Sequence, residues 1–273
     1  MKQYTNLVSK ILQTGEVRED RTGTGVLSIF GGHIRFDLRE RFPLVTAKET
    51  RWKTAFLEML WFLRGESHTD YLHTNDCRLW DDWAAYGHSV GPIYGYQWRG
   101  WEGMAWFGKK VKVDQIRTLI EGIKTNPQSR RHIVTAWNVA QLDDMALPPC
   151  HWAFQCYATN DGHLDMQVHQ RSWDMALGAP FNIAQYALLL TLLARATGRT
   201  PRRLAFAFGD AHIYLNHVEQ MREMVKRKRK RYDNEPTRLV INTENTDIDG
   251  YKPDDFDIVD YKHQQHIKLP VAV

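Results

Sequence analysis

Residues 50–64 constrain the fold more than any other segment. Trp52, Ala55, Phe56, Met59, Leu60 and Leu63 recur there at helical spacing. Gly65 follows, where a helix commonly stops. A helix this apolar must be packed against other apolar surface. A second run, residues 182–197, reads as an apolar helix capped by Asn182 or a near neighbour and ended by Gly198. Two such helices need a large shared core, which a chain of 273 residues can build. Neither is expected to span a membrane. The longest apolar stretches, 56–63 and 187–194, are each about eight residues, against about 20 for a bilayer.

The rest of the chain fits a folded protein. At 43% hydrophobic and 25% charged residues, disordered, collagenous and coiled-coil classes are excluded. The opening Met1-Lys2-Gln3-Tyr4 shows no apolar leader, so no signal peptide is expected. The odd set Cys77, Cys150 and Cys156 then reads as free thiols in a reducing, cytoplasmic compartment. Much of the +4 net charge sits in residues 226–231. Such a run either contacts a polyanion or, more commonly, is a solvated helix end. No metal is expected: Cys-x-x-Cys is absent, and no His-x-x-x-His pair has further ligands nearby. His263 and His266 are expected to be solvated.

No repeat, low-complexity tract or linker appears, so residues 1–273 are expected to form a single compact domain. Residues 1–12 read as a short amphipathic helix. Residues 23–38 read as β structure with a hairpin or bulge at Gly31-Gly32. Residues 73–108 carry Trp80, Trp83, Trp98, Trp101 and Trp106 between glycines, with little periodicity, and read as a loop-rich aromatic wall. A helix is expected over 113–125, strands over 131–137, 152–159, 164–171 and 204–208, a helix over 212–222, and two short strands in the tail before residues 269–273. The irregular alternation predicts an α+β fold with a mixed sheet rather than a doubly wound parallel one.

Chemistry concentrates at a few points. Cys150, after Pro148-Pro149 and at the start of a strand, is the best nucleophile candidate; on its own it is equally a buried hydrophobe. Cys77 and Cys156 fit the buried reading. Gln170-Arg171-Ser172-Trp173-Asp174 places a guanidinium, a hydroxyl and a carboxylate at a strand end, suited to an anion and a polar ligand. Arg130-Arg131 opens another strand, and Arg21 precedes Thr22-Gly23-Thr24-Gly25, which lacks the Gly-Lys-Ser/Thr ending of a P-loop. Together these arginines point to one phosphate. Asn182 is either a helix cap or a reader of a base edge, since an amide offers a donor and an acceptor side by side. Asp210-Ala211-His212-Ile213-Tyr214 reads as a site rim or as a capped helix start. Glu58 is a charge in an apolar helix, costly if buried and trivial if the helix edge is exposed.

These segments resemble the thymidylate synthase family from end to end. The resemblance runs through Asp20-Arg21-Thr22-Gly23-Thr24-Gly25, Leu60-Trp61-Phe62-Leu63-Arg64-Gly65, Trp80-Asp81-Asp82-Trp83 and Gly91-Pro92-Ile93-Tyr94-Gly95. It continues with Ser129-Arg130-Arg131, Pro149-Cys150-His151, Gln170-Arg171-Ser172, Pro180-Phe181-Asn182, His212-Ile213-Tyr214 and the terminal Pro270-Val271-Ala272-Val273.

The resemblance implies an α+β homodimer, with helices covering a twisted mixed sheet whose other face forms the interface. It implies reductive methylation of dUMP to dTMP, with 5,10-methylenetetrahydrofolate as carbon and hydride donor and no metal. Cys150 would add to C6 of the pyrimidine, Tyr94 would help remove the C5 proton, and Glu58 would move protons near O4 and the folate. His151, beside the nucleophile, and Asn182 are counted with this catalytic set. Arg21, Arg171 and Ser172 would hold the phosphate, joined by Arg130 and Arg131 of the partner subunit. The same arginines would favour the Cys150 thiolate. His212 and Tyr214 would hold the 3′-hydroxyl, and Asn182 would read uracil, where relatives that use dCMP carry aspartate. Asp174, Trp80, Trp83 and Val273 would line the folate side.

The chain departs from the family's usual residues at His169, Trp173, Ala176, Ala179 and Ala211. Trp173 either fills volume left by the alanines or remodels the wall beside the reactive methylene. The second option implies a hydroxymethylase, in which water traps the intermediate to give 5-hydroxymethyl-dUMP, or its dCMP counterpart. A nucleic-acid-binding protein built on residues 226–231 would leave Cys150 and the ordered arginines unexplained.

Overall fold

Two helices carry the core. In α2 (Trp52–Arg64) every residue from 55 to 63 is buried, Glu58 included, and Gly65 ends it in the left-handed region at φ 72°. Lying against α2 is α6 (Gly178–Ala196), whose leucines and alanines are buried on almost every side. The structure, a computed structural model, describes residues 1–85, 87–227 and 236–270. Among the described residues no helix is long and apolar enough to cross a membrane.

Both helices cover a six-stranded mixed sheet, so the fold is α+β as expected. Its strands are β1 (Glu16–Arg18), β2 (Val26–Asp37), β5 (Ile133–Thr135), β6 (His151–Ala158), β7 (His163–Asp174) and β8 (Thr200–Tyr214). They lie in the order β1-β2-β8-β7-β6-β5. Every pairing is antiparallel except β7–β8, and α6 supplies the crossover that a parallel pair requires. The side-chain period of two gives the sheet two faces. The row Phe154, Val168, Phe206 and Ile34, matched across four strands, is buried against the helices. The adjacent row, Ile133, Gln155, Gln167, Ala205 and Arg35, is on the outer face.

The remaining elements surround this frame: α1 (Lys2–Thr14), α3 (Asp70–Thr74), α4 (Tyr94–Gly100), β3 (Trp101–Met104), β4 (Lys110–Val113), α5 (Gln115–Thr125), α7 (Val218–Lys226), β9 (Arg238–Ile241) and β10 (Phe256–Val259). Asp114 caps α5 by accepting from the Arg117 N–H at 2.9 Å.

Four expectations are corrected. Gly31-Gly32 makes no hairpin: β2 runs through it, and pairing passes from Phe30–Asp210 to Gly32–Phe208 around Gly31 at φ 76°. The aromatic stretch 73–108 contains α4 and β3, elements too short to show a period. Asn182 is no cap, because α6 starts at Gly178; Pro180 falls in the first turn, where a missing N–H costs no helix bond. Finally, 204–208 is only the middle of β8. His212 and Tyr214 are strand residues, held on one side by β2 and in part by β7 on the other, and the next α-helix begins at Val218.

Candidate active site

A crevice opens where β7 and β8 end. One part of it, about 490 Å³, is lined by Trp80, Trp83, Leu177, Phe181, Trp173 and Asp174, with Glu58 and Asn182. The other, about 540 Å³, is lined by Arg18, Arg21, Arg171 and Thr22. Cys150, Ser172, His212, Tyr214 and Trp83 line both. The cysteine therefore stands between an aromatic recess and a basic one.

The Cys150 loop is fixed from several sides. Its N–H donates to Tyr94 Oη at 2.9 Å. Arg171 Nε and Nη2 donate to the carbonyls of Pro149 and Pro148 at 3.0 and 2.6 Å, and Nη2 lies 3.9 Å from the Cys150 Sγ. Burial pushes the thiol up from its ordinary range; Arg171, Tyr94 and Ser172 pull the other way without overcoming it. The expectation that arginines favour the thiolate is thus met in direction by Arg171 but outweighed by desolvation. Behind the loop, His151 stacks on Tyr94 with ring centroids 4.0 Å apart and has Nδ1 2.7 Å from Tyr186 Oη. Burial pushes His151 down to about 3, so its ring is neutral. Tyr94 is raised well above its ordinary value, again by burial.

A hydrogen-bonded chain crosses the back of the recess. Trp80 Nε1 donates to Glu58 Oε1 at 2.6 Å, and Gln185 Nε2 donates to Glu58 Oε2 at 2.5 Å. Asn182 Nδ2 donates to Gln185 Oε1 at 3.2 Å. Asn182 Oδ1 accepts from Trp173 Nε1 at 3.2 Å and Gln170 Nε2 at 3.1 Å. Glu58 is not the exposed helix edge that would have made it trivial. It is 7% exposed, and burial raises its carboxyl to about 7, against the two donated hydrogen bonds. A carboxyl with that value can take and give a proton near neutral pH. Sequence reasoning missed Gln185, though its signal was the same as that of Glu58: a polar side chain inside an apolar helix.

Strand register places the other polar groups. Ser172 pairs with Asp210, and Asp174 with His212. Asp210 lies 2.7 Å from His212 Nδ1 and 3.3 Å from Arg18 Nη1. Burial pushes Tyr214 up to about 12. Asp174 accepts from the N–H groups of Ala176 and Leu177, which shapes the turn into α6. Lys48 is also buried and feels the Asp174 charge; desolvation pushes it down to about 8. Nothing in the sequence around Lys48 marks it.

Some expected residues lie elsewhere. Arg130 and Arg131 are exposed ahead of β5 and line neither part of the crevice. His169 contacts Trp152 at 5.6 Å between rings and is absent from the crevice wall. Trp173, by contrast, is 1% exposed, stacked on Phe206 at 4.9 Å, and still touches the recess. Ala176, Ala179 and Ala211 are fully buried. Val273 and residues 228–231 of the basic run lie outside the described residues. Arg227, from the same run, donates to the carbonyls of Ala47 and Gln265 rather than standing in solvent. His263 lies tilted against Tyr261, ring centroids 4.7 Å apart, instead of being fully solvated. Away from the crevice, Asp70, His73 and His88 bring one potential ligand atom each within 4.8 Å, and His73 already bonds Asp81.

The arrangement has a cysteine at the junction of a basic recess and an aromatic recess, with an amide and a carboxyl raised to about 7 on the far wall. The family model described as thymidylate synthase matches residues 2–273. With that match over essentially the whole chain, the protein belongs to the thymidylate synthase family.

Proposed function

We propose that the protein makes dTMP from dUMP, with 5,10-methylenetetrahydrofolate as co-substrate, and that residues 1–273 act as one catalytic domain in the cytoplasm. The observation that carries this reading is the position of Cys150 between the two recesses. A nucleotide fits that division, with its phosphate toward Arg21, Arg171 and Ser172, its 3′-hydroxyl toward His212 and Tyr214, and its base toward Asn182. The folate also has a fitting surface. Trp80, Trp83, Leu177 and Phe181 offer a flat apolar slot, and the Asp174 carboxylate offers acceptors to ring N–H groups.

The chain's residues then have distinct tasks. The Cys150 thiolate adds to C6, and the displaced electron pair makes C5 nucleophilic. When bound, the folate supplies the one-carbon unit and the hydride. Tyr94, whose Oη already touches the Cys150 backbone, assists loss of the C5 proton. Glu58 exchanges protons near O4 and the folate. Neutral His151 holds the Tyr94 ring. The Cys150–C6 bond breaks last and frees the thiolate. Trp80 and Trp83 keep water from the site.

We also propose a homodimer formed through the outer sheet face. Ile133 and Tyr157, on that face, are exposed at 50% and 63%, a costly surface to leave in water. Across that interface Arg130 and Arg131 of each subunit would complete the phosphate site of the other.

A product assay with dUMP and 5,10-methylenetetrahydrofolate tests the reading. Methyl transfer adds about 14 Da to the nucleotide and produces dihydrofolate, seen near ~340 nm. A gain of about 30 Da without dihydrofolate instead identifies a dUMP hydroxymethylase and points to the Trp173 wall as the entry for water. The same 30 Da gain on dCMP would identify a dCMP hydroxymethylase.

A further inference from the structure

The chain of bonds from Trp173 to Glu58 has a direction, and its ends determine it. An indole N–H can only donate, so the Asn182 atom facing Trp173 must be oxygen. Asn182 Nδ2 then faces Gln185, which must present Oε1, and Gln185 Nε2 faces Glu58 Oε2. The other carboxyl oxygen already receives the indole N–H of Trp80. Both oxygens of Glu58 therefore meet donors, which suits the acceptor-only ionised form. A proton on Oε2 would require Gln185 to turn over. Its amide nitrogen would then meet Asn182 Nδ2, and Asn182 would have to turn as well. That last turn would set an amide nitrogen against the Trp173 N–H.

Gln170 does not block the reversal. Its Oε1 is buried without a hydrogen-bond partner, so a turned Gln170 could present oxygen in place of nitrogen. No charge intervenes either. The titratable groups that face Glu58 are Tyr94 from α4 and Cys77 from the segment before Trp80, both kept neutral by burial, and α6 contributes the uncharged Gln185.

We propose that Trp173 is a positioning residue: its indole N–H locks the polarity of every amide between itself and Glu58, so that Asn182 meets a pyrimidine in one orientation and Glu58 is held as an acceptor. Two parts of the active site, base reading and proton transfer, are thereby set by one side chain. The lock places Asn182 Nδ2 on the Glu58 side, the arrangement in which it would donate to uracil O4 and Oδ1 would accept from N3–H. The base-reading half of this inference rests on the dUMP reading above; the Glu58 half does not.

The test uses the ligand-free protein with ¹³C-labelled glutamate, the Glu58 carboxyl signal being assigned by its absence in Glu58→Gln. Trp173→Phe keeps a ring against Phe206 and removes only the donor. It should raise the Glu58 midpoint by about one pH unit, a tenfold gain in proton affinity. In calorimetry it should also cut the preference for dUMP over dCMP about tenfold. Gln185→Met cuts the chain in the middle. It should raise the Glu58 midpoint too, yet leave the dUMP preference within about twofold, because Trp173 still orients Asn182. An unmoved midpoint in Trp173→Phe overturns the lock, as does an equal loss of selectivity in both variants. If Trp173→Phe does not fold, an unmoved midpoint in Gln185→Met overturns it. A protein that ignores dUMP but shows the titration shift keeps the lock and refutes the nucleotide reading.

Discussion

Arg171 holds Cys150 in two ways. Its backbone N–H donates to the Cys150 carbonyl at 2.9 Å, and its Nη2 lies 3.9 Å from the sulfur. Burial nevertheless leaves the thiol above its ordinary range. Alkylation of Cys150 by iodoacetamide, followed by mass spectrometry, should therefore keep accelerating as pH rises past about 9. Arg171→Met should slow it about tenfold at a given pH, through the lost positive charge. A plateau below pH 8 in the unmodified protein would contradict the balance drawn above.

Removal of the sulfur separates chemistry from binding. Cys150→Ala should show no turnover, since among the described residues no other thiol lines the crevice and the Ser172 hydroxyl is a far weaker nucleophile. Its affinity for dUMP, measured by calorimetry, should stay within about tenfold, because the phosphate and base contacts lie elsewhere. An active alanine variant would remove the covalent route.

Base choice should follow residue 182. Asn182→Asp should shift preference toward dCMP by at least about tenfold, since a protonated carboxyl can donate to the cytosine N3 acceptor and accept from its amino group. Competition between dUMP and dCMP measures this directly, and an unchanged ratio would refute base reading at this position.

Glu58 predicts a pH dependence of stability with a definite sign. Burial raises the folded-state carboxyl from 4.5 to about 7. The native protein thus holds this proton across a window in which the unfolded chain has lost it. The Glu58 contribution must then fall as pH rises from about 4.5 to 7 and level off above. Glu58→Gln has no such proton to lose. Relative to the parent it should gain on the order of 3 kcal/mol between pH 4.5 and pH 8. Urea unfolding at the two pH values gives the difference; a parallel response of both proteins would show that Glu58 does not titrate in this window.

The core makes a plainer prediction. Trp61 is fully buried and its Nε1 donates to the His68 carbonyl at 2.8 Å. Trp61→Ala should cost about 3–5 kcal/mol in denaturant unfolding, from the cavity and the stranded carbonyl together.

Much of this was legible in the residues themselves. The core helices showed as periodic apolar runs, because burial on nearly all sides leaves no other composition. The site showed as polar residues where apolar ones were due: Glu58 in a helix, Arg171 and Asp174 at a strand end. What escaped notice had physical reasons. α4 has seven residues, too few for a period of 3.6 to repeat. Gly209, Asp210 and Ala211 are poor strand formers, yet β8 continues through them because β2 pairs there on one side and β7 in part on the other. Asn182 looks like a cap because the helix turn before it starts with Gly178-Ala179-Pro180, which carries no periodic signal.

The parallel pairing of β7 with β8 has a last consequence. Ser172 sits beside Asp210 and Asp174 beside His212 only because the intervening crossover returns the chain to the right height. A slip of one residue would turn every β8 side chain to the opposite face, sending His212 and Tyr214 away from the crevice. The crossover is therefore a ruler, and its length carries information that no single residue in it does. Apart from the crevice and network residues Leu177, Phe181, Asn182 and Gln185, positions within 175–199 should accept many compatible substitutions, but an insertion or deletion there should disturb the site. Measured over generations, the segment should vary in spelling and stay fixed in count.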